Sequence, residues 1–211
     1  MYAPFPGSNS ARASFITSQR DTTAVLTTHT ISVDCGLGGV VVAGLSCTFN
    51  GTISSVSIGG VSAPINVQRQ AGGNNAPVAI ATASGVGSGV QNIVLSTSAG
   101  NQTWTAFTYN LSGANSSTPT GSGSQNAVSG TMNFTISTAT SGCVIGIGRC
   151  SNGTAPATWA VLIKDLELDN GSQVESVASL NDTTLNAALP ASLVFGGTSG
   201  QEAVVWAAWS P

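Results

Sequence analysis

Three carboxylates stand two residues apart in the segment Asp165-Leu166-Glu167-Leu168-Asp169. On an extended strand such residues share one face, with neighbouring Cα atoms about 6.5–7 Å apart. Two of them could converge on a calcium ion at its short oxygen distances, whereas all three would need help from another loop. Asp165, Glu167 and Asp169 are therefore weak candidates for a metal site. The spacing also fits loosely the acid pair of a glycosidase, with Asp165 and Glu167 as the acids. A solvent-facing edge whose charges discourage sheet-to-sheet aggregation is the simpler reading, and it is preferred.

Other reactive groups are sparse. The single histidine, His29, sits in a threonine-rich run with no nucleophile motif beside it, which favours a structural role. The chain has no G-x-S-x-G elbow, no P-loop and no H-E-x-x-H. The glycine-rich runs at 36–39 and 85–89 are not followed by a helical pattern, so they do not read as phosphate cradles. No enzyme, resident metal or cofactor is expected. Cys35, Cys47, Cys143 and Cys150 form no C-x-x-C knuckle. If Cys143–Cys150 is extended, its ends lie more than about 20 Å apart and cannot bridge. The same holds for Cys35–Cys47 if one strand joins them. The four are disulfide candidates only between segments or subunits, and buried thiols are an equal alternative. Trp104, Trp159, Trp206 and Trp209, with Phe107 and Tyr109, could build a sugar-stacking platform, although aromatics on strands more often fill cores.

Composition narrows the function further. Charged residues are 6% of the 211-residue chain and apolar ones 41%. Ser, Thr, Asn and Gly must therefore supply a polar, nearly uncharged surface, which suits packing against neighbours. Five scattered basic residues and a net charge of −3 argue against nucleic acid, which needs clustered cations. The start Met1-Tyr-Ala-Pro-Phe-Pro lacks the basic and apolar regions of a signal peptide. The mostly apolar run 36–45 is too short and glycine-rich to cross a bilayer, so no membrane partner is expected.

The elements that would carry these residues read as strands throughout. In the stretch 50–111, Val61, Ala63, Ile65 and Val67 are apolar with the polar Ser62, Asn66 and Gln68 set among them, and Gly59-Gly60 marks a tight hairpin. Met132, Phe134 and Ile136 alternate in the same way, and Asn170-Gly171 signals another hairpin. Val40-Val41-Val42 and Val204–Trp209 are apolar on both faces, as central strands or contacts between copies would be. The expectation is an all-β, antiparallel β-sandwich of roughly ten to twelve strands, jelly-roll or immunoglobulin-like, forming one domain over 13–211. Residues 1–12 read as an N-terminal arm and 112–130 as a mobile, low-complexity loop. No exact internal repeat is visible. Tyr2 and Phe5 in the arm, with Trp206 and Trp209, are interface candidates.

Gly39–Ala43, Asn50–Val61, the alanine-rich Ala76–Ser84, Asn92–Leu95, Trp104–Leu111, Glu175-Ser176 and the end Val204–Pro211 together resemble a group of tailed-bacteriophage virion proteins. The likeness spans most of the chain after residue 30 through short, degenerate motifs. It implies a jelly-roll or immunoglobulin-like sandwich and a virion location after synthesis in the host cytoplasm. The role implied is structural: capsid decoration or cement at the head surface, stabilising the particle. Expected partners are further copies, as a homotrimer, and other virion proteins such as the major capsid protein. The alternative is a tail, baseplate or fibre protein binding host-surface carbohydrate. The group offers no catalytic residues to transfer, and the four cysteines depart from its pattern.

Overall fold

The computed structural model describes residues 10–22, 25–48, 51–71, 76–101, 103–128, 130–151, 156–171, 173–196 and 201–211. They form seventeen strands and, among the described residues, no helix. None is thus long and apolar enough to cross a membrane. The first half holds β1 (Arg12–Asp21), β2 (Leu26–Asp34), β3 (Gly39–Cys47), β4 (Ile53–Ile58), β5 (Val61–Ser62), β6 (Ile65–Gln70), β7 (Pro77–Val86), β8 (Val90–Asn101) and β9 (Trp104–Ser112). The second holds β10 (Gly121–Ala127), β11 (Thr131–Thr138), β12 (Gly142–Ser151), β13 (Ala157–Ala160), β14 (Ile163–Asp169), β15 (Gln173–Thr183), β16 (Asn186–Phe195) and β17 (Gln201–Trp209).

The all-β, antiparallel expectation holds, but the described residues build four sheets and two sandwiches where one sandwich was expected. In the first half, a sheet of order β1-β9-β3-β7-β6 faces one of order β2-β8-β4-β5. In the second, β10-β17-β12-β15-β14 faces β11-β16-β13. Every pairing is antiparallel. Replacing β1, β9, β3, β7 and β6 by β10, β17, β12, β15 and β14 turns the first large sheet into the second. The smaller sheets correspond likewise, with β2, β8 and β4 answering to β11, β16 and β13. Each half winds as a jelly roll, the chain crossing repeatedly between its two sheets. The internal repeat absent from the residues is therefore present in the topology.

The two large sheets pack against each other, giving four layers with three apolar interfaces. The first sandwich encloses Ile31, Val41, Leu45, Ile58, Ile93 and Trp104. The second encloses Met132, Phe134, Val144, Trp159, Leu193 and Trp206. Between them lies a central layer in which Val42, Ile80, Phe107 and Tyr109 meet Ile145, Ile147, Val205 and Trp209. Both large sheets are thus covered on both faces, which explains their unbroken apolar runs: β12 is buried at every position. The smaller sheets face solvent on one side, so β11 alternates exposed and buried along its whole length. Gly44 of β3 faces Ile147 of β12 across the central layer, and a Cβ there would collide with that side chain.

Two expected boundaries move. Residues 121–127, read as part of a mobile loop, are strand β10, paired with β17 from Gly121↔Ala208 to Ala127↔Glu202. Residues 1–9 of the arm, including Tyr2 and Phe5, lie outside the described residues. The arm's last residues belong to the fold: Ala11 is buried in the central layer, and its N–H donates to the Ser141 carbonyl at 2.8 Å.

Candidate functional site

Asp165, Glu167 and Asp169 do not share one face. A register shift between Lys164 and Leu166 places an extra residue, Asp165, in β14, and a bulge turns its side chain. Asp165 consequently faces the central layer, where its Oδ2 accepts from Tyr109 Oη at 2.9 Å. Glu167 faces the other way and accepts from Ala157 N at 2.6 Å and Lys164 Nζ at 3.0 Å. Asp169 accepts from Gly171 N at 2.7 Å in the Asn170-Gly171 turn. All three bind the chain itself. Among the described residues no group of three or more His, Cys, Asp or Glu is arranged to hold a metal ion. Burial raises the pKa of Asp165, and hydrogen bonds from Tyr109 and Ser179 pull it back.

His29 is buried. Its Nε2 lies 2.8 Å from the Leu26 carbonyl, and its Nδ1 is 3.5 Å from Asp21 Oδ2. Asp21 Oδ2 also accepts from Trp104 Nε1 at 3.3 Å, so the carboxylate bonds the indole and stands close to the imidazole. Among the described residues, none of the four cysteines is in a disulfide, and all are buried. They are divided among the three interfaces, Cys35 and Cys47 in the first, Cys143 in the central layer and Cys150 in the last. Of the two readings, the buried thiols are the one found: the large sheets separate Cys143 and Cys150 from each other and from Cys35 and Cys47, and all four lie inside the folded chain. Burial also pushes the Cys35 thiol up to about 11 and Cys143 to about 12, with Cys47 higher still.

The tryptophans are core residues, which removes the exposed stacking platform. Trp209 lies in the central layer and donates from Nε1 to the Ser117 carbonyl at 3.1 Å. Trp159 donates to Ser176 Oγ at 2.9 Å. Trp206 stacks on Phe134 with centroids 4.5 Å apart and planes at 20°. That pair borders an open cleft of about 470 Å³ between β10 and β11, but each ring spends a face on the other. The apolar C-terminal strand is covered by the chain's own sheets, so Trp206 and Trp209 need no partner subunit to bury them.

Two features escaped the sequence reading. The first is a buried ionic cluster at one end of the central layer. Arg149, with no exposed surface, hydrogen-bonds to the Cys47 carbonyl and stands opposite Glu175 in the β12–β15 register. Glu175 Oε2 accepts from Arg20 Nη2 at 2.6 Å and from Thr105 Oγ1 at 2.7 Å. Burial lowers the Arg149 pKa while the Glu175 charge opposes that. The cluster joins β1, β3 and β9 of one half to β12 and β15 of the other. The ion pair within it is Arg20–Glu175, whose carboxylate is buried while the guanidinium is 22% exposed, so losing Arg20 would leave a buried charge without its counter-ion. The cluster's signal in the sequence is an arginine or glutamate inside an otherwise apolar run, at Ile147-Gly148-Arg149-Cys150 and Val174-Glu175-Ser176-Val177.

The second is a braced turn that presents a leucine. Leu37 is 91% exposed, between Gly36 (φ 59°) and Gly38 (φ 72°), left-handed conformations that glycine adopts readily. Asn110 fixes this turn from below: its Oδ1 accepts from Leu37 N at 2.9 Å, and its Nδ2 donates to the Cys35 and Gly38 carbonyls, both at 3.0 Å. The neighbouring loop is tied on by Gly89 N donating to the Gly36 carbonyl at 2.9 Å, and it exposes Val90 at 69%.

A scan of protein-family models finds no match to this chain, and a search of curated proteins finds no relative.

Proposed function

We propose that the protein is a structural component of a bacteriophage virion, docked on the particle surface as a decoration or cement subunit. The observation that carries this reading is the Asn110-braced turn. A large apolar side chain held out on a fixed backbone loses little freedom on docking, which is how a contact residue gains affinity. Three further properties support it. The surface is poor in charge and rich in hydroxyl and amide groups, as suits close packing with neighbours. The four-layer body, clamped by the Arg149–Glu175–Arg20 cluster, is a rigid block of the kind a particle shell uses. The sequence resemblance points the same way. Its subunits associate as a trimer, closed by symmetry, with the major capsid protein as the underlying partner.

The test is incorporation into particles. Leu37→Asp is expected to fold and to leave the melting temperature within about 2 °C, since the side chain touches little in the monomer. Particles assembled with it should carry less than about a tenth of the normal complement, a loss of about 1.4 kcal/mol or more in docking. Deleting residues 1–9, while sparing the buried Ala11, should weaken docking separately. Normal incorporation of both variants would contradict the proposal.

A further inference from the structure

We propose that a crevice between the two halves is a binding site for one neutral saccharide unit. It has a volume of about 320 Å³, at the small end of ligand pockets. Ile65, Asn66 and Thr82 of the first half form one wall, and Ser117, Thr118 and Ser122 of the linker and β10 form the other.

Asn66 is the extra residue of a bulge in β6, because Ile65 pairs with Ala81 and Val67 already pairs with Ile80. Bulges re-aim side chains and terminate pairing. Among the described residues, neither Asn66 Oδ1 nor Thr82 Oγ1 has a hydrogen-bond partner, and both atoms are buried. Thr82 as a residue is 3% exposed. A buried polar atom without a partner costs about 1–3 kcal/mol, so two of them beside one crevice mark where an outside donor belongs. Asn66 Oδ1 can only accept, and the Thr82 hydroxyl can do either. The remaining polar lining is hydroxyl, and no Asp, Glu, Lys, Arg or His is in the wall. A charged ligand would be left uncompensated there. A pyranose fits this chemistry: its hydroxyls supply donors in several directions, and its C–H face can lie on Ile65.

The inference stands apart from the virion reading, because it is measured on the isolated chain. The 15N-labelled full-length protein is titrated into the millimolar range with glucose, galactose, rhamnose or N-acetylglucosamine, with glycerol as control, and followed by 1H–15N NMR. At least one sugar is expected to give saturable shifts at the Asn66 side-chain amide and the backbone of 65–66, 82 and 117–122. Asn66→Ala and Thr82→Val should each weaken that sugar at least about tenfold. Thr82→Val should also keep or raise the melting temperature, since it replaces an orphaned hydroxyl by a group of the same shape. Four outcomes overturn the proposal: no saturable shift with any sugar, shifts that survive in both variants, glycerol matching the sugars, or Thr82→Val losing affinity only through unfolding.

Discussion

Asp165 illustrates how one residue's surroundings change its role. Spacing alone makes it the first of three carboxylates on one face, but the bulge in β14 hands it to the Tyr109 hydroxyl instead. Its pKa is raised in the folded protein, chiefly by burial. The folded value then exceeds the unfolded one, so this group's stabilising contribution is full below the unfolded pKa. It is lost as pH rises through the folded pKa. Asp165→Asn keeps an acceptor for Tyr109 and removes the charge. Denaturant melts at a series of pH values should show a wild-type decline that begins at the ordinary aspartate pKa and ends at the raised folded one, flattened in the variant. An identical decline in both proteins would assign it to another group.

At the level of elements, β10 is the instructive case. Its residues Gly121–Ala127 are Gly, Ser, Gln, Asn and Ala, with no β-branched or aromatic member and hence little strand propensity of their own. The strand exists because β17 offers a ladder beside it, and because Gly123 leaves room for the Trp206 ring, where any Cβ would collide. Gly123→Val should therefore destabilise the protein by about 1–3 kcal/mol, and hydrogen exchange should show β10 opening before β17 does. Equal protection of β10 in the variant and wild type would refute this. Strands whose own residues carry the signal were legible: the period-two alternation of β11, the Gly59-Gly60 hairpin, and the doubly apolar β3 and β17. What was not legible depended on distant partners, as β10 does on Trp206. The same limit hid the candidate sites, because Asn66, Thr82 and the 117–122 segment meet only through tertiary packing. Asn110 and Leu37 are likewise 73 residues apart. The duplication was hidden for a related reason, since strand order is fixed by pairing and alternation that many sequences satisfy.

For the whole molecule, the central layer decides behaviour. Val42, Phe107, Ile147 and Trp209 are buried only because the two sandwiches meet, so either half alone would expose a broad apolar sheet. Thermal unfolding should accordingly be a single transition for both halves, and chains cut near residue 120 and expressed separately should aggregate or recombine rather than fold apart. Two resolved transitions, or an independently folded half, would contradict the layered architecture. The same rigidity underlies the proposed particle role. The most direct test is the number of copies per purified particle, counted by quantitative mass spectrometry against the major capsid protein. A surface subunit built into the shell is expected in a fixed, high ratio to capsid protein and in multiples of three. Absence from the particle, or a handful of copies confined to the tail, would contradict it.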